Sequence, residues 1–312
     1  MSNIDQSVEF QTEPFSSMDE KLSQTCIINF EESIEYSPKN INKTKGSIRN
    51  YLLELRNESI KFKEMLIIKP ENIEICSIEE FSVKGDSLYF PMKIIKFSGE
   101  FYFLKPIRSE KKIYGVHLEV YYRSRLRYSS IAKCIGYVKW EKSKFIIIQY
   151  FSKTLDQFLS ENLSICDKIT LIISLTKGLL FLHMKNCVNM NITPWSIFVD
   201  EDRNAYFFDL ECVMNLNMEP QSSLVYKEPE FSAPEALDGK RSFACDIYSL
   251  GLLFYYILTG GPYSEYIGME NLPNGFEDLI KIMINSNPNK RPDAYYIIEE
   301  LDRILIDIKS SS

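Results

Sequence analysis

The order of patterns along the chain predicts an α+β fold, with strands first and helices after. Three observations carry that reading. Residues 73–81, 88–97 and 100–107 are three runs of strand character, the last two joined by a Ser98-Gly99 turn. Residues 166–186 form a long, mostly apolar helical stretch closed by Phe181-Leu-His-Met-Lys-Asn186, and 250–258 reads as a buried core helix. Between these helices lie Asn189-Met-Asn-Ile-Thr-Pro-Trp-Ser-Ile-Phe-Val-Asp200 and Ala205-Tyr-Phe-Phe-Asp-Leu-Glu211. They read as a turn, a short buried strand, a polar turn at 201–204 and a second short strand ending in an acid.

Composition bounds the function classes. A chain of 312 residues fits one domain of roughly 230–250 residues plus an extension. Hydrophobic residues make up 45%, enough for a large core and too many for global disorder. Thirty-six Lys and Arg against 43 Asp and Glu leave a net charge of −7 and no basic run, which argues against a nucleic-acid surface. Cys26, Cys76, Cys134, Cys166, Cys187, Cys212 and Cys245 are odd in number and show no C-x-x-C spacing, as expected of free thiols in a reducing, cytoplasmic compartment. Two histidines, His117 and His183, are too few for a zinc site. The N-terminus carries no signal pattern, and the 250–258 stretch is far shorter than the ~20 residues of a membrane span.

Taken in order, residues 1–45 are rich in Ser, Asn, Glu and Gln and are expected to be a mostly disordered tail. Residues 46–69 are expected to be an amphipathic helix and linker. Ile48, Tyr51, Leu52, Leu55, Phe62 and Leu66 share one stripe, Ser47 suits an N-cap, and Pro70 sets a stop. That helix can pack on the domain that follows or serve a partner. The three strands come next, and the first two are separated by Phe81-Ser-Val-Lys-Gly-Asp-Ser-Leu-Tyr89. Further on stand Phe101-Tyr-Phe-Leu-Lys105, Val116-His-Leu-Glu-Val-Tyr-Tyr-Arg-Ser-Arg-Leu-Arg127, Ile131-Ala-Lys-Cys-Ile-Gly-Tyr-Val138 and Phe145-Ile-Ile-Ile-Gln-Tyr-Phe-Ser152. Late in the chain come Phe231-Ser-Ala-Pro-Glu-Ala-Leu237, Asp246-Ile-Tyr-Ser-Leu-Gly251 and Asn287-Pro-Asn-Lys-Arg-Pro292.

These motifs, in this order, resemble the eukaryotic protein kinases, nearest to the Ser/Thr and tyrosine-kinase-like branches. The resemblance covers about residues 70–308. It implies a two-lobed fold: a small, mainly antiparallel β lobe with its C-helix (70–150), then a larger, mainly helical lobe (151–312). Lys105 resembles the lysine that contacts the α- and β-phosphates, Glu119 the C-helix glutamate that pairs with it, and Ile148 the gatekeeper. Residues 154–163 resemble the short helix after the hinge. Glu235 and Arg291 are implied as a buried structural pair, worth ~3–5 kcal/mol to whichever charge is stranded if one is removed. Asp246 is implied to accept hydrogen bonds from the catalytic-loop backbone.

Against that frame the reaction centre is degenerate. Asn191 stands at the catalytic aspartate, and a neutral amide cannot take the substrate proton. Thr193 replaces the phosphoryl-supporting lysine, Ser196 the metal-holding asparagine, and Met190 and Asn189 the arginine and histidine. Gly85 is the lone glycine where the family has a glycine-rich loop. Asp209-Leu-Glu211 stands for Asp-Phe-Gly, leaving Asp209 as a weak magnesium ligand at most. Phe103 sits where a small alanine touches adenine, Phe198 where a leucine underlies it, and Phe208 adds a third ring, so aromatic side chains are expected to fill the nucleotide pocket. The alternative is that the lobes separate slightly and admit ATP. Residues 212–232 resemble the activation segment, where Ser222, Ser223, Tyr226 and Ser232 are ordinary loop residues or phosphorylation targets.

The expected function is a pseudokinase, a signalling scaffold or allosteric partner of another protein kinase or signalling protein, with no nucleic acid, no membrane span and no cofactor. The alternatives are a weak or unconventional kinase using ATP and magnesium, and a nucleotide-binding switch without phosphotransfer.

Overall fold

The computed structural model describes residues 66–81, 92–107, 112–113, 116–217, 228–263 and 272–311, all within one compact unit that spans 41–312. The expected tail, the helix from Ser47, the loop around Gly85, and Ser222, Ser223 and Tyr226 lie outside the described residues.

A six-stranded sheet forms the first half, in the order β1 (Leu66–Ile67), β7 (Cys134–Trp140), β8 (Ser143–Gln149), β4 (Glu100–Pro106), β3 (Met92–Phe97), β2 (Glu74–Phe81). Neighbours are antiparallel except β1, which runs parallel to β7 with Leu66 opposite Gly136. This corrects the sequence reading, which ended a helix at Leu66 and began the domain at 70. The run Leu66-Ile-Ile68 is apolar and partly β-branched, and Ile68 N–H donates to Tyr137 O at 2.9 Å, extending the pairing. Alternation along β4 and β8 gives the sheet two buried faces. Leu104 and Ile147 join Ile68, Ile95 and Val138 on one, while Phe103, Ile146 and Ile148 join Met92 on the other. Two short strands, β5 (Lys112–Ile113) and β6 (Val116–His117), pair with each other and lead into helix α1 (Leu118–Arg125), so the C-helix begins later than Val116.

The second half is helical. Helix α2 (Leu155–Leu159) is capped by Thr154 and Gln157, and α3 (Ile165–Met184) by Ser164 and Asp167, each pair closing a reciprocal capping box. Short strands β9 (Lys153–Thr154), β11 (Ile197–Val199) and β12 (Ala205–Phe207) form one antiparallel ribbon, and β10 (Cys187–Val188) pairs with β13 (Met214–Asn215). Then come α4 (Pro234–Leu237), α5 (Phe243–Thr259), α6 (Phe276–Met283) and α7 (Ala294–Ser311). Helix α5 is buried along most of its length and ends at Gly260, whose φ of 81° is the left-handed stop that glycine adopts without strain. No helix of the described residues is long and apolar enough to cross a membrane.

Arg291 and Glu235 face each other beneath this layer. The guanidinium donates to Glu235 Oε1 at 2.5 Å and Oε2 at 3.0 Å, to Asn285 O at 2.8 Å and to Ala244 O at 2.9 Å, and lies over the Tyr248 ring. Burial alone would raise the Glu235 carboxyl pKa, but the bonds to Arg291 outweigh it and hold it low.

Helix α3 passes close to Ser130 and to Phe207 of β12 at Gly178. A methyl group there would sit 2.9 Å from Ser130 Cβ and 3.0 Å from the Phe207 ring. Gly178→Ala is therefore expected to destabilise by about 1–3 kcal/mol through overpacking, despite alanine's better helix propensity. Urea unfolding measures this. An unchanged or raised midpoint would mean that α3 does not seat on Phe207 as described.

Candidate functional site

Lys105 and Phe103 lie two residues apart on β4 and so share a face. Phe103 sits between Ile148 of β8 and Ile94 of β3. Phe198 comes from β11 and Phe208 follows β12, and both reach the same place from the helical half. The ring centroids are 5.9 Å apart for Phe103–Phe198, 5.7 Å for Phe103–Phe208 and 4.3 Å for Phe198–Phe208. All three are at most 3% exposed. Tyr150 covers Phe103 at 5.0 Å, and Phe151 touches Phe198 and Phe208.

Beside the rings lies a buried charge cluster. Lys105 Nζ donates to Glu119 Oε1 and Oε2 at 2.8 and 2.9 Å and to Asp209 Oδ1 at 3.0 Å. Arg123, one turn along α1, donates to Glu119 Oε1 through Nε at 2.9 Å and Nη2 at 2.7 Å. It also donates to the carbonyls of Phe208 and, at 3.4 Å, Ala132. Burial would lower the pKa of the Lys105 ammonium, but Asp209 and Glu119 outweigh it and hold the value above the ordinary 10.5. Burial would raise the Glu119 carboxyl, but Lys105 and Arg123 outweigh it and hold the value below the ordinary 4.5.

Asn191 belongs to the same network. Its side-chain Nδ2 donates to Asp209 Oδ2 at 3.1 Å, while Glu211 N–H donates to Asp209 Oδ1 at 3.2 Å. Thr193 and Ser196 serve the loop's own backbone. Thr193 N–H donates to Ser196 Oγ at 3.0 Å, and Ser196 N–H to Thr193 Oγ1 at 3.1 Å. The Ser196 hydroxyl then donates to Asn191 O at 2.7 Å, with Thr193 O also within reach at 3.1 Å. Asn189 Oδ1 accepts from Asn191 N–H at 3.1 Å.

Asp246, at the start of α5, holds the loop from below. Its carboxylate accepts from Asn189 N–H at 2.7 Å and Met190 N–H at 2.8 Å, and lies 3.0 Å from His183 Nε2. Met190 has φ of 60°, uncommon without glycine, and its side chain packs on the cluster of Ala233, Ala236 and Cys245. Among the described residues, no three of His, Cys, Asp and Glu gather closely enough to hold a metal ion.

Three contributors escaped the sequence reading. Arg123 had a signal, since Glu119 and Arg123 are four apart on a helix. His183 and Tyr122, whose hydroxyl accepts from Asn215 N–H at 2.7 Å, had none, because their partners are 63 and 93 residues away.

The sequence profile described as Protein kinase domain matches residues 92–301. This chain belongs to the protein kinase family. The kinase domain is similar to a probable serine/threonine-protein kinase of Dictyostelium discoideum, 28% identical over 183 residues that cover 51% of this chain and 11% of that protein. It is similar to a probable cell cycle serine/threonine-protein kinase, CDC5 homolog, of Encephalitozoon cuniculi, 24% identical over 233 residues, 67% of this chain and 48% of that protein. The dual specificity protein kinase zakA of Dictyostelium discoideum is 28% identical over 236 residues, 62% of this chain and 30% of that protein. The chain thus spans less than half the length of each of these relatives.

The charge cluster makes stability depend on pH with a definite sign. Glu119, held low, contributes fully above about pH 4.5, and the contribution is lost as pH falls through the folded value. Lys105, held high, contributes fully below about pH 10.5 and loses it as pH rises through the folded value. The melting temperature of the wild type should therefore fall more steeply below about pH 4.5 than that of Glu119→Gln, which starts lower because Lys105 and Arg123 lose a partner. Parallel melting curves between pH 7 and pH 3 would remove Glu119 from the acid limb.

Proposed function

We propose that this kinase domain is a pseudokinase, which does not transfer phosphoryl groups and acts by binding another protein kinase or signalling protein in the cytoplasm. The carrying observation is the cluster of Phe103, Phe198 and Phe208, closed to solvent and packed ring on ring. Adenine needs a flat slot about one ring thick, and Phe103 stands in the place that a small residue would leave open. The residues also fit magnesium poorly. Both Asp209 oxygens are engaged by Lys105 and Asn191, and the Ser196 hydroxyl is spent on the Asn191 carbonyl.

Asn191 supports the same reading. Its amide points a donor at Asp209, whereas a catalytic base must accept a proton from a substrate hydroxyl. The six free thiols among the described residues suit a reducing compartment.

A second reading, a weak kinase or an ATP-binding switch, is favoured by one observation: the Lys105 ammonium lies within 3.0 Å of both Glu119 and Asp209. Positioning and electrostatics carry much of phosphoryl transfer, so loss of a base need not abolish it.

Thermal-shift titration separates the two. ATP at 100 times its Kd would stabilise the fold by about 2.7 kcal/mol, a rise of several degrees for a domain of this size. The pseudokinase reading predicts no rise at millimolar ATP and magnesium and no radiolabel passed to protein substrates. A rise without transfer would favour the switch. Transfer that is lost in Lys105→Met would overturn the proposal.

A further inference from the structure

We infer that Arg123 is a positioning residue that bolts α1 to the helical half of the protein, so that the two halves stay closed without any ligand. The inference is independent of whether ATP enters the cleft.

Arg123 is 2% exposed, and its donors are divided between the two halves. Nε and Nη2 grip Glu119 on its own helix, while Nη2 also donates to the carbonyl of Phe208, which leads directly into Asp209. Nη1 reaches Ala132 O, whose own N–H bonds Phe207 O at 3.0 Å on β12. The guanidinium also lies 5.9 Å from the centre of the Phe208 ring. A side chain that ties one helix to the backbone just before Asp209 fixes the distance between the halves at that point.

Charge counting explains why no ligand is needed. Lys105 and Arg123 face Glu119 and Asp209, two cations against two carboxylates in one buried cluster. Without Arg123, Lys105 alone would serve both acids, and the excess negative charge would call for an added cation or for separation of α1 from Asp209. With it, the four groups in direct contact balance one another, and Glu211 adds only a more distant negative charge that also favours the Lys105 ammonium. One residue before Arg123, Tyr122 repeats the arrangement. Its hydroxyl accepts Asn215 N–H from β13 in the helical half at 2.7 Å.

The test uses native thiols. Cys76 on β2 and Cys166 on α3 are exposed and lie in opposite halves. Cys134, Cys187 and Cys245 are buried, and burial pushes their thiols up to about 11, 12 and 11, which protects them from labelling at neutral pH. Nitroxides placed on Cys76 and Cys166 in the full chain, with Cys26→Ser and Cys212→Ser, allow pulsed dipolar distance measurement without nucleotide. The wild type should give one narrow distance distribution. Arg123→Met should give a broadened distribution with a second, longer population, while circular dichroism remains native; a purely structural core residue would lower the melting temperature without adding that population. Should Arg123→Met fail to fold, Arg123→Lys decides, because lysine keeps the charge but cannot reach Glu119 and the Phe208 carbonyl together. A broad distribution in the wild type, or a narrow wild-type-like one in the deciding variant, overturns the inference.

Discussion

Four ionised groups buried together between the two halves set the terms for the rest of this structure. Removing each from water costs several kcal/mol, and opposite charges about 4 Å apart return about 4 kcal/mol at an effective dielectric of 20. Neither side of that balance wins by much, so the remaining donors and acceptors must all be satisfied. They are: Arg123 turns its spare N–H groups to the carbonyls of Phe208 and Ala132, and Asp209 receives the Asn191 amide and Glu211 N–H. The cluster therefore contributes geometry more than net stability. It is satisfied when β4, α1, the catalytic-type loop and the Asp209 turn sit where they do, and a displacement strands a charge.

The aromatic cluster and the ionic one are complementary in this respect. Phe103 shares its face of β4 with Lys105, and Phe208 is the residue before Asp209. The rings thus exclude water from the charges next to them, which strengthens each pairing and also raises the cost of leaving any partner out. Ring packing alone tolerates sliding of one half over the other. Charge pairing alone, open to solvent, would be worth little. Together they define one arrangement.

Family membership and the two-part α+β layout were legible in the sequence, because both rest on several short motifs in a fixed order. The aromatic, apolar run at 101–104 and the capping residues Thr154 and Ser164 are local signals, and the elements follow them. The N-terminal boundary was misread because the helical stripe from Ile48 runs into Leu66, whereas the β1 partner strand lies about seventy residues downstream, beyond any local pattern. In the site, the pairing of Lys105 with Glu119 was reachable through the family register. The Lys105–Asp209 contact spans 104 residues, and the His183–Asp246 contact spans 63. Such contacts are properties of the packed chain, and short-range patterns do not encode them.

The loop residues Asn189, Thr193 and Ser196 hold the shape of the turn through their own side chains. A turn of this kind has backbone donors facing inward that must be paired wherever it is buried. Asp246 pairs two of them from outside the loop, so that service does not depend on which side chains the loop carries. The others fall to Asn189, Thr193 and Ser196, all short polar residues suited to bonding a backbone two or three positions away. A lysine or an arginine reaching outward for phosphate offers no such local acceptor. The same reasoning covers Asn191. Beside the Asp209 carboxylate a second carboxylate would repel, whereas the neutral Asn191 amide donates a hydrogen bond to it.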